Sequence, residues 1–148
     1  MNIGMYVNSL SNEDQIQLSI ETIEIGFNNQ AIDDATIFYD SVGFSPFIFP
    51  CGAFNSTELW NFSGKLITFS LDCVRSSLKI VNNIDLYYCY GWENKINPLN
   101  LIDACSNNLK IFTKTNNDTR ELYRLTGLNA IGSLENSSLF KIIGTTNE

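Results

Sequence analysis

Residues 65–90 read KLITFSLDCVRSSLKIVNNIDLYYCY, and this stretch decides the fold class. Its two ends, 65–70 and 84–90, are apolar, β-branched or aromatic runs of strand length, and a helical pattern over 72–81 lies between them. Neither run alternates with polar residues, so we expect both faces of each strand to be buried. A strand, a helix and a second buried strand are typical of a crossover unit in a parallel sheet.

The same unit recurs along the rest of the chain. Further strands are predicted at 2–7, 35–39, 109–113 and 129–133, and further helices over 16–27, 98–106, 118–125 and 137–143. Ser11 and Asp14 approximate a capping box before the first helix. The segment 42–54 mixes glycine and proline with apolar residues, which predicts an irregular connection followed by one helical turn.

Six strand-then-helix units predict one domain over residues 1–148. Its expected fold is α/β, with a three-layer, doubly wound and mostly parallel sheet of about six strands, which is a Rossmann-like architecture.

Composition excludes several classes of function. The 148 residues contain no His, which removes the Ser–His and Cys–His nucleophile pairs and every His-ligated metal site. The net charge of −7 argues against nucleic acid and anionic membranes as partners, and the first 64 residues hold no Lys or Arg. Four cysteines without a CxxC pair, and no leader or apolar span, predict a cytoplasmic protein with reduced thiols.

Candidate ligand-binding residues follow from the fold. In doubly wound sheets, ligands bind beyond the carboxyl ends of the strands, where the strand order reverses. The predicted ligand-binding residues there are Asn8, Ser9, Asp40, Ser41, Trp92, Glu93, Lys114 and Asn116. Trp92 is the aromatic residue best placed to stack on a sugar or a base. Glu93 also fits a solvated loop residue, and we predict no catalytic residue and no metal ligand.

No cofactor motif accompanies these positions. The turn after the first strand reads NSLSN at 8–12, so it lacks the Gly-x-Gly-x-x-Gly that brings backbone N–H groups to a pyrophosphate, and the phosphate-binding P-loop pattern is also absent. Cys51 is the one cysteine predicted on a loop, but its neighbours are acidic or apolar, so we interpret it as a packing residue. The sequence therefore predicts no cofactor.

Three segments resemble a known family. They are LWNFSGKLIT at 59–68, YGWE at 90–93, and LKIFTK at 109–114 followed by TRELY at 119–123. Together they resemble small glycosyltransferase-like proteins of tailed phages of marine bacteria, which are built on one Rossmann-like half of the GT-B fold. The likeness covers most of residues 2–143. It implies a nucleotide-sugar ligand, and a homodimer or second chain that completes the cleft where donor and acceptor meet.

Two hypotheses of function remain open. The first is a binding domain for a nucleotide, a sugar or a protein partner without independent catalysis, because a single half-domain with no His base cannot enclose two substrates. The second is a phage structural or host-interaction protein that uses the fold as a scaffold and binds its partner through the apolar segment 44–54, with Phe44, Phe47 and Phe49 as surface residues. Under either hypothesis we expect the bacterial host's cytoplasm as the compartment.

Overall fold

A computed structural model describes residues 1–94, 96–105 and 108–144 and shows one six-stranded sheet. The strands are β1 (Asn2–Ser9), β2 (Asp34–Ser41), β3 (Gly52–Asn55), β4 (Gly64–Thr68), β5 (Ile84–Tyr90) and β6 (Lys110–Thr113). Their order is β3-β2-β1-β4-β5-β6, and every neighbouring pair is parallel. The predicted α/β fold with a Rossmann-like parallel sheet is confirmed.

Helices cover both faces of the sheet. They are α1 (Glu13–Asn28), α2 (Leu71–Leu78), α3 (Pro98–Cys105), α4 (Asn116–Thr126) and α5 (Leu139–Gly144), with a 3-10 helix (Ser56–Asn61) between β3 and β4. α1 and α5 share one core cluster with Ile3, Met5 and Val7 of β1. The other helices pack on the opposite face, in a second cluster with Leu66 of β4 and Tyr88 of β5. The central strands β1, β4 and β5 are buried on both faces, which explains their largely apolar sequences, whereas β3 is exposed.

Side chains at the helix ends set most helix boundaries. Ser70 caps α2 by accepting from the Cys73 N–H, and Thr115 and Asp118 form a full capping box on α4. The predicted capping box of Ser11 and Asp14 is wrong. The Ser11 hydroxyl instead pairs with that of Ser9 at 2.7 Å, and α1 begins after Asn12, whose side chain makes no capping bond.

The expected number of strands is right, but one member differs. β3 begins within the segment 42–54 predicted to be irregular and ends one residue beyond it, and it is a four-residue edge strand that pairs with β2. The predicted strand at 129–133 reduces to a single bridge between Ser133 and Thr113 of β6, since glycine and asparagine in that segment are poor strand formers. The predicted helix at 98–106 ends one residue beyond α3, at Ser106, which lies outside the described residues.

Candidate functional site

The winding of the chain reverses between β1 and β4, which is the point where doubly wound sheets form a ligand crevice at the carboxyl edge. Asn8 and Ser9 are the last residues of β1, and Asp40 and Ser41 are the last two of β2. Both strands extend past their predicted ends, and these four residues lie at the edge expected for a ligand.

The floor of the crevice is closed by side chains of the protein. The Asn8 Oδ1 accepts hydrogen bonds from the Ser70 hydroxyl at 3.3 Å and from the Cys73 thiol at 3.0 Å. Burial raises the pKa of the Cys73 thiol to about 12, so it remains a protonated donor at neutral pH. Asn8 therefore joins β1 to the start of α2 and does not present its carbonyl to a ligand.

The Asp40 carboxylate also accepts a hydrogen bond from within the protein. The Tyr6 hydroxyl donates to its Oδ1 at 2.7 Å, and burial together with this bond raises the pKa of Tyr6. The neighbouring Ser41 hydroxyl donates to the backbone oxygen of Asn8 at 3.3 Å. These bonds tie the ends of β1 and β2 together.

Glu93 spans two elements and is not the solvated loop residue that its sequence position also allowed. Its Oε1 accepts from the Leu71 N–H at 3.1 Å, and its Oε2 accepts from the Tyr88 hydroxyl at 2.9 Å. Burial, followed by the negative charge of Glu93 and this hydrogen bond, raises the pKa of Tyr88. Glu93 therefore positions the loop after β5 against the first residue of α2.

Trp92 is held by three neighbours. Its Nε1 donates to the Cys89 Sγ at 3.1 Å, and its ring meets the Phe69 ring edge-on at a centroid distance of 5.8 Å. The Lys114 Nζ lies 4.1 Å from the centroid of the indole, within the range of a cation–π interaction. The structure thus brings together two residues predicted from separate loops.

A small cavity lies between Trp92 and the first turn of α1. Its volume is about 150 Å³, and its other lining residues are Asn12, Glu13, Asp14 and Gln15. The cavity combines an aromatic ring with two amides and two carboxylates. Sequence reasoning missed Asn12 and the three α1 residues because it assigned this turn to a capping box.

The end of β6 forms a separate polar cluster. The Asn116 N–H donates to the Glu135 Oε2 at 2.8 Å, and the side-chain amides of Asn116 and Asn136 pair at 3.0 and 3.4 Å. Four strand spacings of about 4.8 Å separate the end of β2 from the end of β6, so Asp40 and Asn116 stand roughly 19 Å apart. A single small ligand therefore cannot contact all the predicted residues.

The residues of the predicted partner surface differ in their exposure to solvent. Phe44 is 82% exposed, whereas Phe47 and Phe49 are half-buried against the core on the α1 face. Val42, outside the predicted segment 44–54, is 75% exposed, and Ile48 within that segment is 92% exposed. The signal that would have found Val42 is the period of two in Val42, Phe44 and Ile48, which is typical of an extended segment with one face in solvent.

Other classes of site find no support in the described ranges 1–94, 96–105 and 108–144. No group of three or more Cys, Asp or Glu side chains there is arranged to hold a metal ion. No helix in those ranges has the length and apolar character needed to cross a membrane. The four thiols are free, and burial and the charge of Asp34 raise the pKa of Cys51 to about 11, opposite to the shift of an activated nucleophile.

Comparison of the whole chain with protein-family models, curated proteins and solved structures gave no match of any kind.

Proposed function

We propose that this chain is a sugar-binding Rossmann-like domain without independent catalysis, related to one half of a GT-B glycosyltransferase. The observation that carries the proposal is the cavity at the carboxyl edge where the first turn of α1 faces Trp92. An aromatic ring supplies a face for the C–H side of a sugar, and amide and carboxylate oxygens accept from its hydroxyls. Phe69, Cys89 and Lys114 already hold the indole, so binding costs little ordering of the ring.

The lining favours a neutral sugar over a nucleotide. Glu13 and Asp14 repel phosphate at the position where Rossmann-like domains usually accept it, at the start of the first helix. The volume of about 150 Å³ is also below the roughly 300–1,000 Å³ of pockets that enclose larger ligands. Of the three ligands left open by the sequence, the sugar fits these properties best.

Two polar groups of the carboxyl edge, Glu93 and Cys73, are unsuited to chemistry. Both carboxylate oxygens of Glu93 already accept hydrogen bonds from the protein. The Cys73 thiol has a pKa of about 12, so it keeps its proton at neutral pH. A general base needs a lone pair within reach of the substrate, and a nucleophile needs a lowered pKa. Glu93 and Cys73 instead make internal hydrogen bonds that fix the conformation of the carboxyl edge.

Tryptophan fluorescence tests the proposal, because the chain has only two tryptophans. In a Trp60→Phe variant, Trp92 is the sole reporter, and we expect neutral monosaccharides to change its emission while UDP does not. The double variant Glu13→Gln/Asp14→Asn should weaken the response about tenfold, as expected when hydrogen bonds to charged acceptors are lost. Glu24→Gln, elsewhere on α1, is the matched control. An equal response to UDP, or none to any sugar, would refute the proposal.

The second candidate is the scaffold function, which the exposure of Val42, Phe44 and Ile48 favours. Contiguous exposed apolar side chains mark interaction surfaces. The unmodified chain is first used to isolate a partner complex from bacterial lysate. We expect the double variant Phe44→Ser/Ile48→Ser to have the same melting temperature and to lose that complex. Retention of that complex by the variant would exclude this surface.

A further inference from the structure

We propose that a groove on the other face of the sheet, between the 3-10 helix and strands β2 and β3, binds an arginine side chain of a basic, extended partner segment that lies along the free edge of β3. The groove is independent of the Trp92 cavity. It lies near the amino ends of the strands, encloses about 260 Å³ and is lined in part by Phe38, Phe54 and Phe62.

The groove exists because the connection from β3 to β4 is too short to cover the sheet beneath it. The connection from β3 to β4 contains only the six-residue 3-10 helix, whereas α2 continues the same layer with eight residues. Leu59 and Phe62 fill part of the space above β1 and β2, but Phe54 on β3 remains 51% exposed. Phe38 and Phe62 meet edge-on with a centroid distance of 5.5 Å, so the floor of the groove is aromatic.

The polar atoms around this floor are hydrogen-bond acceptors. Asp34 and Glu58 contribute exposed carboxylates to the lining. Each amide nearby already uses one of its two N–H groups, since the Asn2 Nδ2 donates to the Ser63 carbonyl at 2.7 Å and the Asn61 Nδ2 donates to Glu58 at 3.1 Å. The Asn2 Oδ1 is a buried acceptor without a hydrogen-bond partner among the described residues. Apart from the Thr36 hydroxyl and the second N–H of the two amides, the polar lining consists of acceptors, which suits a ligand rich in N–H groups.

The charge around the groove has one sign. No Lys or Arg occurs before residue 65. The α-ammonium of Met1 is paired with Asp33, and the Lys65 ammonium binds the Ile143 carbonyl of α5, on the opposite face of the sheet. A cation entering the groove therefore meets two carboxylates and no repulsion from the side chains lining it.

Guanidinium matches this lining better than ammonium. It is planar, carries five N–H donors, stacks on aromatic rings and pairs with carboxylates through two parallel bonds. The free edge of β3 explains how the arginine is delivered. β3 is the terminal strand of the sheet, so its outward N–H and C=O groups are open to an added strand. Alternate side chains of such a strand would lie on the groove face, beside Phe54.

Fluorescence anisotropy with defined peptides tests the proposal. The probe is a labelled octapeptide that alternates arginine with valine or threonine, and its twin carries citrulline, which has the same shape without the charge. We expect the arginine peptide to bind and the citrulline peptide to bind at least about tenfold more weakly, as expected when charge-assisted hydrogen bonds are lost. A lysine peptide should fall between them, because an ammonium pairs with the carboxylates but does not stack.

Matched variants distinguish the groove from general attraction to an acidic protein. Asp34→Asn/Glu58→Gln should weaken the arginine peptide about tenfold or more, whereas Glu24→Gln, on α1 at the opposite face, should not change it. Circular dichroism checks that the variants fold, and all three carboxylates are exposed. Equal binding of the citrulline twin, or an equal loss in Glu24→Gln, would overturn the proposal. Glu13→Gln/Asp14→Asn should leave peptide binding intact, so failure of the sugar proposal is separable from failure of this one.

Discussion

At the scale of single residues, the carboxyl edge is shaped by polar side chains that bind each other. Glu93 is the clearest example, because its two oxygens connect Tyr88 of β5 to the backbone of Leu71 in α2. The sequence shows an acid after a strand, which fits a ligand-binding residue and a solvated loop residue equally well. Only the positions of Tyr88 and Leu71, five and 22 residues away, identify it as a positioning residue.

The Tyr88 hydroxyl provides a test of that role. Tyr88→Phe removes the donor to Glu93 and leaves a half-buried carboxylate oxygen without its partner, so we expect a loss of about 1–3 kcal/mol in the free energy of unfolding. Urea unfolding measures the loss, and Tyr123→Phe, at an exposed position of α4, is the control. A Tyr88→Phe protein as stable as the control would show that the bond contributes nothing.

The Cys73 thiol predicts how stability depends on alkaline pH. Burial raises its pKa from 9.0 to about 12 in the folded protein, while the unfolded chain releases the proton near 9.0. Between these values the unfolded state binds fewer protons than the folded state, so stability falls as pH rises, by about 1.4 kcal/mol per pH unit for this group.

Urea unfolding across that window checks the prediction. The slope of stability against pH should be smaller in Cys73→Ala than in the unmodified chain, and the two slopes should agree near neutral pH, where no thiol titrates. Parallel slopes throughout the alkaline window would contradict the assignment to Cys73.

At the scale of elements, α1 depends on a glycine within its last turn. Gly26 is buried, and a Cβ added there would overlap the side chain of Ile32, which leads into β2. Alanine favours helices over glycine by about 0.8–1.0 kcal/mol, but overpacking costs about 1–3 kcal/mol. We therefore expect Gly26→Ala to destabilise the protein in thermal or urea unfolding.

Two further substitutions make that prediction specific. In an Ile32→Ala background, Gly26→Ala should cost much less, because the overlapping atoms are gone. Gly144→Ala in α5, where an added Cβ meets no atom within 4 Å, should change stability by no more than about 0.5 kcal/mol. A gain in stability from Gly26→Ala alone would show that the Ile32 side chain moves to make room for the added Cβ.

Elements with strong periodicity were predictable, and short ones at the sheet edges were not. β1, β2, β4 and β5 come from unbroken apolar runs and appear near their predicted positions. β3 has only four residues and begins with a glycine, so no local pattern distinguishes it from the loop before it. It becomes a strand because the backbone groups of Thr36–Tyr39 on the outer side of β2 need hydrogen-bond partners, and β3 supplies them.

At the scale of the whole molecule, the sheet order predicts a gradient of stability. β1 and β4 lie in the centre between neighbours on both sides, whereas β3 pairs only with β2. Hydrogen exchange followed by mass spectrometry should show the slowest exchange in β1 and β4 and fast exchange through local opening in β3. Protection of β3 equal to that of β1 in the isolated chain would mean that something already covers its edge, such as a second copy.

The candidate sites depend on the same order. Predicted ligand-binding residues are distributed along roughly 19 Å of the carboxyl edge, where Ser41 bonds to Asn8 and Lys114 lies against Trp92. The contact of Trp92 with Lys114 requires β5 and β6 to be neighbours, which no local sequence pattern specifies. The groove beside β3 was not predictable either, since it results from the absence of a full helix above three strands.

The sequence by itself determined the class of fold, the apolar central strands and the acidic net charge, because hydrophobic periodicity and composition are local or additive properties. Tertiary structure alone decided which polar residues became internal contacts and which cavities stayed open. The physical reason is that hydrogen bonds and cavities depend on pairs of residues distant in the chain, whose separations are fixed only once the strand order and the length of each crossover are realised in space.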